Sequence, residues 1–160
     1  MTAITIRPAT PADLPFIYGL SPRLAGVGRL PWRTAAEIRH FQDSFMKAAL
    51  ETPPAGAATF IAAAADGAPL GFLHVEPARD IITETACGYI PLLAVIKAAE
   101  GRGIAKRLMR AAEDWARVQG WRFLSLEVFA SNDRGRAFYD RAGYREESLR
   151  LLKEVNEVGR

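Results

Sequence analysis

The sequence holds one cysteine, Cys87, and two histidines, His40 and His74, among 160 residues. A single thiol forbids an internal disulfide and suits a reducing compartment. With so few soft donors, no metal-ligand cluster assembles at the usual spacings. Long apolar runs are missing as well: Ala55–Ala65 and Ala86–Ile96, the longest, fall short of the roughly 18 residues that a membrane helix needs. The opening MTAITIRPAT lacks the apolar stretch of a secretory signal, so a cytoplasmic protein without a membrane partner is expected. An excess of one charge is also lacking. Lys and Arg total 21 against 18 acids, a net +3, and no aromatic stacking platform is evident, so no nucleic-acid partner is expected. There is no Gly triplet and no sustained heptad. What is present is 49% apolar and 24% charged residues, the balance of a folded domain, and a length that suits a single unit over 1–160.

Hydrophobic periodicity divides the chain into alternating elements. Ile4–Arg7 reads as a short strand. Thr10-Pro11-Ala12-Asp13 then sets a hydroxyl cap, a first-turn proline and an acid before a helix over Pro11–Leu20. Two prolines and two glycines make Ser21–Pro31 a mobile connection. Thr34-Ala35-Ala36-Glu37 is a second capping box, and Ile38, Phe41, Phe45 and Ala48 form the stripe of a helix that Thr52-Pro53-Pro54 stops. Thr59–Ala65 and Leu70–Val75 read as a hairpin about Asp66-Gly67. Ala86–Ile96 is the near-continuous apolar strand of a sheet covered on both faces. A helix follows with Ile104, Leu108, Ala112, Trp115 and Val118 on one stripe, closed at Gln119-Gly120. Phe123–Phe129 is a further strand, Asp133–Arg141 a helix ending near Gly143, and Glu147–Glu154 a last strand. The unit from Ala86 to Phe129 is β-α-β, so its two strands should run parallel.

Glu100-Gly101-Arg102-Gly103-Ile104-Ala105 carries the most chemical information. The helix that starts there has no side-chain cap, so its first amides need another acceptor. Glycines at 101 and 103 let backbone approach a ligand, the helix dipole adds positive potential, and Arg102, Lys106, Arg107 and Arg110 cluster nearby. An anion such as phosphate suits that place; a plain tight turn with hydrated amides is the duller alternative. It is neither a P-loop, since Gly-Lys-Ser/Thr is missing, nor a dinucleotide fingerprint, since Lys106 stands at the third glycine.

The strand Gly88–Val95, this turn and its helix resemble motif A of the GCN5-related N-acetyltransferase (GNAT) family. The motif Arg/Gln-x-x-Gly-x-Gly/Ala reads here Glu100-x-x-Gly103-x-Ala105. Asn132-x-x-x-x-Ala137-Phe138-Tyr139-x-x-x-Gly143-Tyr144 is similar to motif B. The resemblance implies an α/β (α+β) fold: a mostly antiparallel mixed sheet with one parallel, splayed strand pair and flanking helices. It implies acetyl-CoA as cosubstrate, with the amides of Gly101, Arg102, Gly103, Ile104, Ala105 and Lys106 holding the pyrophosphate. The main chain of Leu93 and Val95 would pair with the pantetheine arm, Asn132 would contact the pantetheine or phosphate side, and Tyr139 would sit beside the thioester sulfur. Glu100 departs from the motif and is expected to turn away to solvent.

The implied activity is transfer of an acetyl group to a primary amine by direct attack. The acceptor could be a small molecule or a protein, and a homodimer is left open. A catalytically weak CoA-binding sensor or interaction module is the alternative. The Val95 N–H would polarise the carbonyl, and Tyr139 would protonate the thiolate. A lysine-like amine also needs roughly 4–5 kcal/mol to become neutral at pH 7. Many relatives meet that need with a glutamate on the central strand, where Tyr89 stands here. Glu84, Glu76 and His74 are nearby alternatives, and no base is assigned. Cys87 reads as a small core residue and His40 as surface. Trp115, Trp121 and Trp32 are expected to pack, with Trp32 also placed to line an acceptor pocket.

Overall fold

The structure, a computed structural model, describes residues 3–156. The chain opens with strand β1 (Thr5–Pro8) and a 3-10 turn at Pro11–Asp13. Asp13 reaches back to the Thr10 N–H at 2.7 Å and clamps Arg7 through two 2.8 Å bonds. That fork of a guanidinium on a nearly buried carboxylate ties the first helix to the sheet edge. Helix α1 (Leu14–Gly19) follows.

The connection expected to be mobile begins instead as helix α2 (Ser21–Ala25). Pro22 lies in its first turn, where a missing N–H costs nothing, so the proline that suggested a loop serves to start a helix. Helix α3 (Ala35–Glu51) has the full capping box, with Glu37 N–H on the Thr34 hydroxyl and the Glu37 carboxylate on Thr34 N–H. Its buried stripe is Ile38, Gln42, Met46 and Ala49. Phe41 and Ala48, assigned to the core from their spacing, face solvent instead. Periodicity finds an apolar side only to within a residue, and packing picks the exact face.

Strands β2 (Ala58–Ala63), β3 (Pro69–Arg79), β4 (Ala86–Val95) and β5 (Leu124–Leu126) complete a five-stranded sheet in the order β1-β2-β3-β4-β5. All neighbours run antiparallel except β4 and β5. Helix α4 (Ile104–Gln119) crosses between those two, and helix α5 (Asp133–Arg141) follows β5. One face packs Leu73, Val75 and Ile90 on Ile104, Leu108, Met109 and Ala112 of α4. The other packs Ile61, Phe72, Leu92 and Ala94 on Ile17, Leu20, Met46 and Ala49. Each such wholly buried Leu or Ile contributes about 1.5–3 kcal/mol. On α4, Val118 is 78% exposed and Trp115 half-buried, its indole N–H donating to the Gly56 carbonyl, so the stripe runs through Ala116 instead. Cys87 is buried and His40 exposed, while Trp121 packs against Gly88 and Trp32 stays half exposed.

Two strand expectations fail on the C-terminal side. Phe123–Phe129 contracts to Leu124–Leu126, because β4 and β5 pair only from Gly88–Leu124 to Ile90–Leu126. Glu147–Glu154 forms no strand: Leu149, Leu151 and Leu152 are exposed, and no strand lies alongside them. A strand exists only where another edge accepts its hydrogen bonds, which local propensity cannot supply. Among the described residues no helix is long and apolar enough to cross a membrane.

Candidate active site

The site is built by a one-residue irregularity in β4. Between the pairs His74–Leu92 and Glu76–Tyr89, β3 advances two residues and β4 three, so β4 carries a bulge at Ile90-Pro91. The bulge changes which backbone groups face which neighbour. Gly88 N–H donates toward β5, to Phe123, whereas Ile96 N–H donates toward β3, to Leu70. Strict alternation would send these two even-numbered residues the same way. The extra residue reverses the phase and turns the main chain of Leu93 and Val95 toward β5. Beyond Ile90 and Leu126 the two parallel strands no longer pair, so Leu93 presents its amide and carbonyl, and Val95 its amide, to an open gap.

At the wide end of that gap lies the glycine turn. Gly101 and Gly103 have φ of +75° and +72°, a left-handed conformation that side chains resist. A Cβ built on either meets nothing within 4 Å, so the space over them is free. Gly103 stands at the cap position of α4 without a side-chain cap. None of the backbone N–H groups from Gly101 to Lys106 donates to another described residue. Six consecutive donors at a helix N-terminus, under open space, fit a multiply charged phosphate group.

Glu100 does not turn to solvent. Its carboxylate pairs with Arg23 from α2 and, at 2.8 Å, with Arg134 from α5, and its side chain is only a quarter exposed. Arg23 also donates from Nε to the Val95 carbonyl. Two guanidiniums therefore offset the one acid beside the amide cradle and link three elements around the mouth of the gap. Sequence reading missed Arg23 because it lies some eighty positions away and belonged to a segment read as a loop.

Asn132 caps α5, its Oδ1 accepting the Gly135 N–H at 3.0 Å, so its side-chain amide points its NH₂ elsewhere. Tyr139 on α5 packs edge-on against Phe138 and Tyr144, at ring separations of 5.2 and 6.1 Å. Burial pushes its hydroxyl up to about 12, so it is protonated at every physiological pH. The Tyr144 hydroxyl donates to Glu113, whereas the Tyr139 hydroxyl has no hydrogen-bond partner among the described residues.

On the face of the sheet opposite α4, a row of polar groups crosses the closed end of the gap. His74 is 1% exposed, with Nδ1 2.7 Å from the Thr59 hydroxyl and Nε2 3.3 Å from the Glu76 carboxylate. Burial lowers its pKa, against the opposing pull of Glu76. Tyr89 pairs with Glu76 on one side and Ser125 on the other. Burial, with Glu127 and Glu76 adding negative charge, raises the Tyr89 hydroxyl to about 12.

Residues 24–144 match the family model of the Acetyltransferase (GNAT) family. The chain is 28% identical over 148 residues to an aminoglycoside N(6')-acetyltransferase type 1 of Stenotrophomonas maltophilia, a match covering 91% of this chain and 88% of that protein. It is 37% identical to N-alpha-acetyltransferase 30 of Schizosaccharomyces pombe over 60 residues, only 38% of this chain and 40% of that protein. Among solved structures, a GCN5-related N-acetyltransferase from Ralstonia eutropha superposes with a TM-score of 0.75 at 21% identity, covering 96% of this chain and all of that one. The aminoglycoside N-acetyltransferase AAC(6')-Iy, solved with CoA, superposes at 0.69 and 19% identity over 98% of this chain and 97% of its own. With its family model matched over most of its length and its fold shared with these acetyltransferases, the chain belongs to the GNAT acetyltransferase family.

Proposed function

We propose that this acetyltransferase uses acetyl-CoA to acetylate a primary amine by direct attack, without a covalent enzyme intermediate. The observation that carries the reading is the run of unpaired amides from Gly101 to Lys106 opening onto the gap between β4 and β5. In this reading those amides hold the pyrophosphate, and the main chain of Leu93 and Val95 lines the pantetheine arm as a missing strand would. Arg23 and Arg134, neutralised in part by Glu100, stand at the entrance to the same phosphates. Bound acetyl-CoA supplies an acyl group on a good thiolate leaving group.

Val95 stands beside Arg23 at the mouth of the gap, next to the phosphates. The Leu93 N–H, nearer the closed end, therefore takes over the donation to the carbonyl oxygen as negative charge develops on it. Tyr139 donates to the departing sulfur. Its hydroxyl, near 12, is a weaker acid than a thiol of about 8.5, so it stabilises the thiolate chiefly by a hydrogen bond before the proton follows. Asn132, with its oxygen committed to the helix cap, offers only its NH₂ to the cofactor. An acid beside the phosphates would suit the alternative of a catalytically weak CoA sensor, but both Glu100 oxygens are paired to arginines, which speaks for the catalytic reading.

One relative that aligns along most of the chain is named as an aminoglycoside N(6')-acetyltransferase, which favours a small-molecule amine here over a protein. A panel of aminoglycosides, simple alkylamines and peptides with free N-termini, assayed for release of CoA thiol, tests this directly. Acetyl-CoA-dependent product with at least one primary amine is expected. Its absence across the panel, with folded protein and saturating acetyl-CoA, would overturn the reading.

A further inference from the structure

Acetyl transfer to an ammonium group needs a proton acceptor near the thioester, and the polar row on β3 and β4 provides one. If acetyl-CoA lies as proposed above, on which this inference rests, its phosphates sit at the wide end of the gap. The acetyl end then comes to the closed end, where Ile90–Leu126 is the last pair. One step further along the sheet, Tyr89 lies between Ser125 and Glu76. His74 on its own strand is bonded to Glu76 and Tyr89 on β4 lies opposite it, while Glu127, just beyond β5, bears on the same Tyr89 from the other side.

Geometry sorts these groups. Glu84 lies at the exposed tip of the β3–β4 hairpin, away from the gap. His74 is sealed from any acceptor. Tyr89 is a phenol, protonated in use, and Glu127 is exposed with no hydrogen-bond partner among the described residues to fix it. Glu76 is partly exposed and anchored from behind. Its carboxylate can only accept, so the bond from His74 places the ring proton on Nε2. In the neutral imidazole Nδ1 then accepts, and the Thr59 hydroxyl donates to it. The chain Thr59→His74→Glu76 thus holds one carboxylate oxygen and leaves the other free.

We propose that Glu76 receives the acceptor's ammonium group and takes its proton, with His74 and Thr59 as positioning residues behind it. The N–H bond of R–NH₃⁺ breaks and the proton passes to the Glu76 carboxylate, leaving the nitrogen lone pair free. That pair forms the C–N bond at the thioester carbonyl, the C–S bond breaks, and the sulfur leaves as thiolate and is protonated with Tyr139 as donor. The amide nitrogen sheds its second proton to water, from which Tyr139 is restored. Glu76 returns its own proton to water, for a balance of amide, CoA thiol and one proton released. The acceptor class is accordingly a strongly basic primary alkylamine.

The test compares Glu76→Gln, Glu127→Gln and wild type with two acceptors found in the panel, one of amine pKa about 10 and one about 7.5. For E76Q at pH 7, kcat/KM should fall about 100-fold or more on the basic amine, recover as pH approaches the amine's own pKa, and change less than about threefold on the weakly basic one. Acetyl-CoA should raise the melting temperature of E76Q as it does that of wild type, which reports folding and cofactor binding together. His74→Gln, which keeps an N–H donor, should lose less on the basic amine than His74→Leu, which keeps only volume. An E76Q variant equal to wild type, a loss independent of amine pKa, or the pKa-dependent loss appearing in E127Q would each overturn the assignment to Glu76. Inactivity of wild type itself would instead overturn the acetyl-transfer reading.

Discussion

Two tyrosines from the same C-terminal region meet edge to edge, and their hydroxyls have different surroundings. Tyr144 is turned to Glu113, and Tyr139 is left without a partner in an apolar setting. The Tyr139 side chain is only partly buried and its hydroxyl oxygen remains accessible, so an acceptor can reach it when substrate is present. Tyr139→Phe removes that oxygen and keeps both ring contacts. Turnover should fall about 100-fold, towards the lower end of general acid catalysis because burial has weakened the acid. The acetyl-CoA-induced rise in melting temperature should persist. Steady-state rates with a good acceptor, under conditions where chemistry limits, check this; an effect on KM alone would make Tyr139 a binding residue.

At the level of elements, the turn into α4 and the bulge in β4 act together: one supplies donors and the other opens the space that leads to them. Gly103 is the position where the two demands separate. Its φ of +72° makes any β-branched residue strained there by about 1–2 kcal/mol, while an added side chain touches nothing in the protein. Gly103→Val should therefore still fold, slightly less stably, and lose the thermal shift given by acetyl-CoA, because its side chain enters the space over the amides. Affinity retained within about threefold, measured by calorimetry, would mean that the glycines serve only the turn. The Glu100 pairs belong to this scale too, since they join α2 and α5 across the end of the gap.

For the molecule as a whole, the buried His74 links stability to pH. In the unfolded chain a histidine takes up a proton below about pH 6.5. In the folded protein burial lowers the His74 pKa, so below that point the unfolded state binds more protons and stability falls as pH falls. The Asp13 carboxylate, held far below its usual range by Arg7, adds its own loss only at much lower pH. The urea midpoint of wild type should drop between about pH 7 and 5, and that of His74→Gln should drop less. Equal slopes in the two proteins would show that His74 accepts its proton in the folded state.

The helix caps at Thr10 and Thr34, the hairpin glycine at 67, the left-handed turns at Gly103 and Gly120 and the span of α5 were all legible in the sequence. Each depends on a few adjacent residues whose backbone preferences and side-chain donors act locally. The spacing of the glycine turn and the asparagine–tyrosine helix likewise carried the family, because both motifs are short and contiguous. The choice of Met46 and Gln42 over Phe41 for the core of α3 was not legible, since adjacent positions differ by only a small rotation of the helix. Nor could local sequence reveal the bulge in β4, the unpaired state of the segment after Tyr144, the Arg23–Glu100–Arg134 cluster, or the line from Thr59 through His74 to Glu76. Those depend on which backbone edges and side chains meet across the sheet. That is decided by hydrogen bonds and ion pairs between segments far apart in sequence, and only the folded chain brings them within reach.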